Sequence, residues 1–417
     1  LVEYAAARDA LDARKIEERK PLRAPLDLLA QHLVTLALGD GFKEKEMLKE
    51  VRSAWSYREL TEEEWGWTLD FVIRGGETLR AYDQFKRVVE KQGVFSVESR
   101  VIERFHRMSI GTITSDPSIL VKFKSGKTLG TIEESFISRL KPGATFFFAG
   151  KLLALDRVRD LTAYVRKAKS GKGIIPVWGG GKSPLSSELA QAVRSKLEQA
   201  GKGIFESREM KAMKDILGLQ QKGSSIPGMG QFLVEKTVTK EGTSWFVFPF
   251  AGRLAHEGMA ALVGYRMTKL EPMTLSVSFN DYGFHLCSNS ANDLCKKQWK
   301  SLLSPERVVD ELLDCMNLSE MAKRQFREVA RVAGLIFQGY PGARKSSRQV
   351  QASGGLFFDV FSKYEPNNLL LVQSKREVLE RQLEVERIKE AFTRIQDQTL
   401  ILNQPDKLTP FAFPLWA

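Results

Sequence analysis

Apolar positions change their period along this chain, and the change divides it. From 26 to 38 the residues Leu28, Leu29, Leu33, Leu36 and Ala37 recur at the three-and-four spacing of a helix with one buried face, and Gly39-Asp40-Gly41 ends it. A second amphipathic run, 43–55, follows a short turn. Thr61 stands three residues before Glu64 at the head of Glu62-Glu63-Glu64, a capping-box pattern that predicts a third helix from 62 to about 73, closed by Gly75-Gly76. The β-rich runs 85–89 and 93–97, joined by Lys91-Gln92-Gly93, predict a hairpin. Three short helices and then a hairpin is the order of a winged helix, with the third helix in the recognition position. A small helical linker domain without DNA contact is the alternative.

Upstream, residues 1–20 carry five basic and five acidic side chains around Ala-rich turns, which predicts a solvated lead-in helix stopped by Pro21 and Pro25. After Met108 the pattern switches to short strands at 110–114, 119–124, 128–132, 145–155 and 163–167. Turn residues at Asp116-Pro117, Ser125-Gly126 and Lys141-Pro142-Gly143 separate them, as in a small, partly open β-barrel. A helix is predicted at 186–200. Beyond it, helices at about 207–218, 305–316, 320–333 and 373–395 mix with strands at 231–237, 244–249 and 274–279. The expected class is therefore α+β: a winged helix over 21–107, then a large mixed domain over 108–417. That domain divides into a β-barrel part, 108–178, and a mixed α/β part, 179–417.

Composition narrows the partners. With 43% hydrophobic and 27% charged residues the chain is globular rather than disordered, and its net charge of +12 favours acidic partners, nucleic acid foremost. Cys287, Cys295 and Cys315 fit neither a zinc pattern nor a secreted disulfide framework, which points to a reducing, cytoplasmic setting and to no metal. The most apolar stretch, 144–155, is interrupted by Lys151 and too short to span a bilayer. The opening Leu1-Val-Glu-Tyr reads as part of a longer chain.

The charge is concentrated. Between Arg139 and Lys182 there are ten basic side chains against only Asp156 and Asp160, a net of +8 in 44 residues. Arg139, Lys141, Arg157, Arg159, Arg166, Lys167, Lys169 and Lys182 are the candidates for tracking a phosphate backbone. Phe146, Phe147 and Phe148, in a strand, are expected to belong to a core. Trp178, in Pro176-Val177-Trp178-Gly179-Gly180-Gly181, sits in a loop too Gly-rich to bury a ring by itself, so it is the candidate base-stacking platform. The following Gly179-Gly180-Gly181-Lys182-Ser183 imitates a phosphate loop, but Pro176 occupies the first glycine position and Pro184 the start of the helix. No nucleotide hydrolysis is expected there.

The four histidines are scattered. His32 reads as a core histidine. Arg253 and His256, in Pro249-Phe250-Ala251-Gly252-Arg253-Leu254-Ala255-His256, share a face if a helix starts there, and either phosphate contact or a buried capping network accounts for them. Asn280-Asp281-Tyr282-Gly283 reads as a strand-ending turn, and no catalytic Ser/His/Asp or Cys/His set is apparent. Arg344, Lys345 and Arg348 form a second basic cluster, or a solvated surface.

Several of these segments, taken together, resemble a known family. They are His106-Arg107-Met108-Ser109-Ile110-Gly111-Thr112-Ile113, Leu129-Gly130-Thr131-Ile132-Glu133-Glu134-Ser135-Phe136, Pro249-Phe250-Ala251-Gly252-Arg253, Asn280-Asp281-Tyr282-Gly283-Phe284 and Gly339-Tyr340-Pro341-Gly342, with Pro25–Leu33 at the entry to the winged helix. The chain is similar in these to the Lhr (large helicase-related) superfamily-2 helicases, in their DNA-ligase-associated DEXH-box branch. The resemblance implies the C-terminal half of such a protein, downstream of two RecA-like motor domains. The family's Walker A loop, DEXH box and arginine finger belong to those motors and are absent here. It further implies ATP and Mg as cofactors of the full-length parent only, and 3′-to-5′ translocation in DNA repair. The implied role of Trp178 is to stack on the tracking strand.

The expected function is to grip and guide single-stranded DNA for that motor, with DNA ligase or a nuclease as further candidate partners and no membrane. Alone, the chain is expected to lack ATPase activity. A protein-interaction module docking the motor or a repair partner is the second reading. A base glycosylase using Asp281 or Glu257 is a third, unsupported by spacing.

Overall fold

The computed structural model describes the chain except residues 19–20, 112–117, 160–161, 169–172, 175, 177–184, 240, 290–292, 338, 341–342, 345–346 and 417. The side chains at 118, 135, 239, 339–340, 343–344 and 347–352 also lie outside the description. Two compact units result. One joins Lys20–Gly179 to Asn317–Val378, and the other joins Leu1–Arg19 to Gly180–Met316 and Leu379–Ala417.

In the first unit the helices Leu26–Ala37, Glu44–Ser53 and Glu62–Arg74 precede a hairpin of β1 (Val89–Lys91) and β2 (Val94–Ser96), the winged-helix order. Thr61 Oγ1 accepts from the Glu64 N–H at 3.1 Å, and the Glu64 carboxylate takes the Thr61 N–H at 3.0 Å, so the capping box is complete. The hairpin turns at Gln92 (φ 53°) and Gly93 (φ 79°), the paired positive dihedrals a two-residue turn needs. It is shorter than its apolar run, because the N–H groups of Arg87 and Val88 bond to the Val72 carbonyl instead of a strand. Trp65, Phe71 and Leu33 are buried together with Phe326, Phe361 and Leu370. The distant helices Leu318–Val332 and Leu369–Glu377 thus complete the winged helix's core. His32, read as a core histidine, is exposed on the outer face of its helix.

A five-stranded sheet follows: β3 (Ser118–Phe123), β4 (Thr128–Glu133), β5 (Thr145–Phe148), β6 (Lys151–Arg159) and β7 (Thr162–Lys167), in the order β4-β3-β7-β6-β5. The run 145–155 is a hairpin rather than one strand, because Ala149 (φ 49°) and Gly150 (φ 68°) turn the chain inside it. Ile110 and Gly111 are outside any strand, and the rest of the strand expected at 110–114 lies outside the described residues. Among the described residues the edge strands β4 and β5 do not pair, so the sheet is an open, half-barrel wall rather than a closed barrel. Ile119, Val121, Leu153, Leu155, Ala163 and Val165 fill its concave side with Phe136 and Phe146.

The second unit is built on β8 (Gln231–Thr239), β9 (Gly242–Val247), β10 (Ser276–Phe279), β11 (Phe284–Ser288) and β12 (Thr399–Asn403), in the order β10-β11-β9-β8-β12. Only β8 and β12 pair in parallel, with Leu233 opposite Ile401. The N-terminal helix Val2–Asp12 is not wholly solvated: Ala5 and Ala6 are buried with Val193 and Leu197, and Asp9 and Arg8 pair with Lys196 and Glu209. The run 373–395 divides into Leu369–Glu377, a wider turn, and Val385–Asp397, which starts after Glu384 in the left-handed region (φ 46°). Among the described residues no helix is long and apolar enough to cross a membrane.

Candidate nucleic-acid interface

Strand alternation decides which charges the first unit presents. On β7, Ala163 and Val165 point inward, so Thr162, Tyr164 and Arg166 share the opposite face. On β6 a bulge between Leu155 and Arg157 resets the register, placing Arg157 beside Tyr164 and Arg159 beside Thr162. Lys122 of β3 lies on the other flank of Tyr164. The Arg157 guanidinium stands 5.1 Å from the centre of the Tyr164 ring, a cation–π contact. One strand face therefore collects exposed Arg157, Arg159 and Arg166, while Lys167, exposed at the end of β7 and opposite Leu153, alternates to the other face.

Asp156, at the bulge beside this face, forms an ion pair with Lys124 at 2.8 Å. The Lys124 hydrogen bond is the first cause holding its pKa below the ordinary carboxylate range, and Arg157 and Arg166 add to it. Asp156 is thus committed as an anion within the sheet. Arg139 (half-buried) and Lys141 (exposed) lie in the turn between the short helix Glu134–Ile137 and β5.

Beyond Arg157 and Arg159 the sheet borders a cavity of about 540 Å³, closed on its other side by Lys323, Arg324 and Arg327 of the helix Leu318–Val332. Its acids are largely engaged. Glu134 takes a two-pronged pair from Arg327, with Nη1 donating to Oε1 at 2.9 Å and Nη2 to Oε2, and Lys323 bonds Asp359 at 2.8 Å. Asn317 Nδ2 donates to the Leu140 carbonyl at 3.1 Å. The Arg327 and Asn317 bonds fix the connection between β4 and β5 to a helix nearly two hundred residues away, and Lys323 and Arg324 are functional candidates that sequence reasoning missed. Their helical spacing looks like any solvated face, and only the fold brings them opposite β6.

The aromatics divide differently from expectation. Phe146 is fully buried, but Phe147 is 45% exposed on the edge strand β5. A Cβ on Gly173 would lie 2.7 Å from the Phe147 ring, so the ring packs closely against that glycine. Ile174 runs beside β5, its N–H bonding to the Thr145 carbonyl and its own carbonyl accepting from the Phe147 N–H. Strand alternation alone, Phe146 in and Phe147 out, could have found this ring. Trp178, Lys169, Lys182 and Lys345 lie outside the described residues, as do the side chains of Arg344 and Arg348.

The helix in the recognition position carries Glu62, Glu63 and Glu64 in its first turn. Three carboxylates suit the positive end of a helix but repel phosphate. The run of exposed cations described above lies on the sheet, not on that helix.

Arg253 and His256 belong to the second unit. Asp281 Oδ1 accepts the N–H groups of Arg253 (3.1 Å) and Leu185 (3.0 Å), capping the helix Arg253–Leu270 from outside. His256 is buried, with Nδ1 bonded to the Asn280 carbonyl at 2.6 Å and Nε2 accepting the Ala251 N–H at 2.9 Å. Burial pushes its pKa down to about 4, so the ring is neutral. Both nitrogens are used, so the geometry is that of the buried network and leaves neither for a phosphate. Asp281 likewise serves as a cap rather than as a catalytic carboxylate.

A winged helix whose core is completed by distant helices, joined to an open basic sheet and followed by a mixed α/β unit, defines an α+β protein of the winged-helix class. The family described as "Large helicase-related protein, winged helix domain" matches residues 9–175, and that described as "DEAD/H associated" matches 226–412. The chain belongs to the Lhr (large helicase-related) family. It is 28% identical over 421 residues to ATP-dependent helicase Lhr-Core protein 2 of Thermococcus barophilus, covering 96% of this chain and 49% of that protein. ATP-dependent helicase Lhr-Core of Methanocaldococcus jannaschii is 27% identical over 94% of this chain and 47% of its own length. Lhr helicase/uracil glycosylase of Escherichia coli is 21% identical over 99% of this chain and 28% of its own. The chain thus spans about half the length of the Lhr-Core relatives it matches. Its fold resembles that of Mycobacterium smegmatis helicase Lhr, solved bound to ssDNA and AMP-PNP, with a TM-score of 0.70 at 19% identity over 99% of this chain and 50% of that one.

Proposed function

We propose that this chain is the single-strand-gripping half of an ATP-dependent Lhr helicase, guiding DNA for a motor that lies outside it. The observation that carries the reading is the β6–β7 face, where Arg157, Arg159 and Arg166 stand beside Tyr164 and where Phe147 offers an exposed ring on β5. Cations spaced along a strand can follow phosphates, while ring faces accept unpaired bases of any sequence. The names of the relatives and the ssDNA in the M. smegmatis structure agree with it. In this reading the open sheet is the wall of a small barrel within 108–178, downstream of a winged helix at 21–107 and a lead-in helix from RecA-like motors. ATP and Mg act at those motors, translocation runs 3′ to 5′, and the setting is cytoplasmic DNA repair alongside a ligase or nuclease. Trp178, as a stacking ring, and Lys169, Lys182, Arg344, Lys345 and Arg348, as cations, are further DNA contacts in this reading.

The test is binding of the 417-residue chain to labelled single-stranded and duplex DNA across a salt series. Tighter single-strand binding, weakening by a factor of ten or more between about 50 and 200 mM salt, is expected from phosphate neutralisation. Absent or salt-insensitive binding would instead favour a protein-docking module.

A further inference from the structure

In the second unit, well separated in sequence from the sheet just described, a cavity of about 280 Å³ is walled by three arginines. Arg194 comes from the helix Ser187–Gly201, and Arg387 and Arg394 come from Val385–Asp397. The last two are seven residues apart, two helical turns, and so share a face. Phe250 and Ala251 of the Pro249–Arg253 segment complete the wall. Gly252 (φ 81°) is required beside it: a Cβ there would meet the Leu185 carbonyl oxygen at 2.7 Å and Arg387 Nη1 at 3.0 Å.

Each guanidinium is held by a backbone carbonyl through one nitrogen. Arg194 Nη2 donates to Met229 at 2.7 Å, Arg394 Nη2 to Pro249 at 2.6 Å and Arg387 Nη2 to Leu185 at 2.5 Å. Arg387 Nη1 also bonds Glu384 at 3.0 Å. A guanidinium has five donors, so these bonds orient the groups without using them up. Among the described residues the buried Nε atoms of Arg387 and Arg394 have no partner. Glu390, exposed, is the acid in the wall itself. Burial, then the charges of Arg194 and Arg387, push the Arg394 pKa down to about 10, and burial lowers that of Arg194. Glu384 pairs with Arg387, and Glu390 and Glu198 offset part of the charge of Arg394 and Arg194, but three clustered guanidiniums with two unused buried donors still favour a further anion.

We propose that this cavity binds a phosphate group through Arg194, Arg387 and Arg394. At about 280 Å³ it falls just below the range of roughly 300–1,000 Å³ that takes a drug-sized ligand. A single phosphate group suits it better than a nucleotide with its base. Guanidinium forks match phosphate oxygens in geometry as well as charge. The phosphate could come from a nucleic-acid strand or from solution, and the test separates the two.

The experiment compares melting of the 417-residue chain in sodium phosphate and in sodium chloride at matched ionic strength. Wild type, Arg194→Gln, Arg387→Gln, Arg394→Gln and, as a control on the sheet, Arg157→Gln are measured. Salting-out by phosphate acts on all five alike, so the site is read as the extra rise in wild type and Arg157→Gln, on the order of 2 °C at saturating phosphate. Should the pocket variants not fold, ³¹P line broadening of inorganic phosphate by wild type, reversed by sulfate, reports the site directly. Binding of labelled oligodeoxythymidine then assigns the source. Loss of oligonucleotide affinity in the pocket variants identifies a strand phosphate, whereas unchanged affinity with a lost phosphate increment identifies a free one. An increment equal in wild type and pocket variants, or no broadening, overturns the proposal. Loss of oligonucleotide binding in Arg157→Gln alone concerns the sheet and leaves this pocket standing.

Discussion

The joint between the basic sheet and the helix Leu318–Val332 is a buried ion pair, and cutting it from either side has a calculable cost. Arg327 and Glu134 are only 4% and 5% exposed and meet in a two-pronged pair. Removing one partner strands the other's charge in a low-dielectric site, which costs about 3–5 kcal/mol. Arg327→Met should reach the upper part of that range. Glu134→Gln should lie nearer 3 kcal/mol, because Glu328 stands 3.6 Å from Arg327 Nε and partly compensates the remaining cation. The double variant removes both desolvation costs, so its loss should be well below the sum of the singles, with a coupling of about 2–3 kcal/mol. Hydrogen exchange of the β3–β7 amides is the suitable assay, since the two compact units need not unfold together. Singles within 1 kcal/mol of wild type, or a strictly additive double, would refute the reasoning.

Other consequences concern protonation and one ring. Asp27 is pushed up to about 6, first by burial, while Gln373 bonds it at 2.7 Å and Glu377 adds repulsion. A raised acid stabilises the fold below the unfolded pKa and loses that contribution as pH rises through 6. Asp27→Asn should therefore match wild type near pH 4 and exceed it by about 3 kcal/mol at pH 8 in denaturant titrations. His256, depressed to about 4, acts in the opposite direction: stability present above pH 6.5 falls by up to about 3 kcal/mol as pH drops through 4, and His256→Gln should flatten that limb. Phe147→Ala should weaken single-strand binding by about 1–3 kcal/mol with little change in melting, because the ring is 45% exposed; a large melting loss with normal affinity would make it a core residue.

The winged helix was legible because its signals are local: a 3.6-residue apolar period, the Thr61 cap and the Gln92-Gly93 turn. The β5–β6 hairpin was hidden because Ala149 and Gly150 turn the chain inside an apolar run broken only by Gly150 and Lys151. Strand β12 pairs in parallel with β8 across more than 160 residues, a register set by no local residue. The helix Arg253–Leu270 is buried on most sides, so its apolar residues show little helical period. For the candidate site, the charge run on β6 and β7 was visible as composition, while the contribution of Lys323 and Arg324 needed the fold. His256 could be narrowed only to two readings, since burial is a tertiary property.

The central claim, that the β6–β7 face tracks a single strand, is tested most directly by the salt dependence of oligodeoxythymidine binding to wild type and to Arg157→Gln/Arg159→Gln/Arg166→Gln. Each phosphate contact on a single strand contributes about 0.7 to the slope of log affinity against log salt, so the triple variant should lose about two units of slope and bind every sequence more weakly, with melting unchanged. An unchanged slope and affinity in a folded triple variant would contradict the account and place the strand elsewhere.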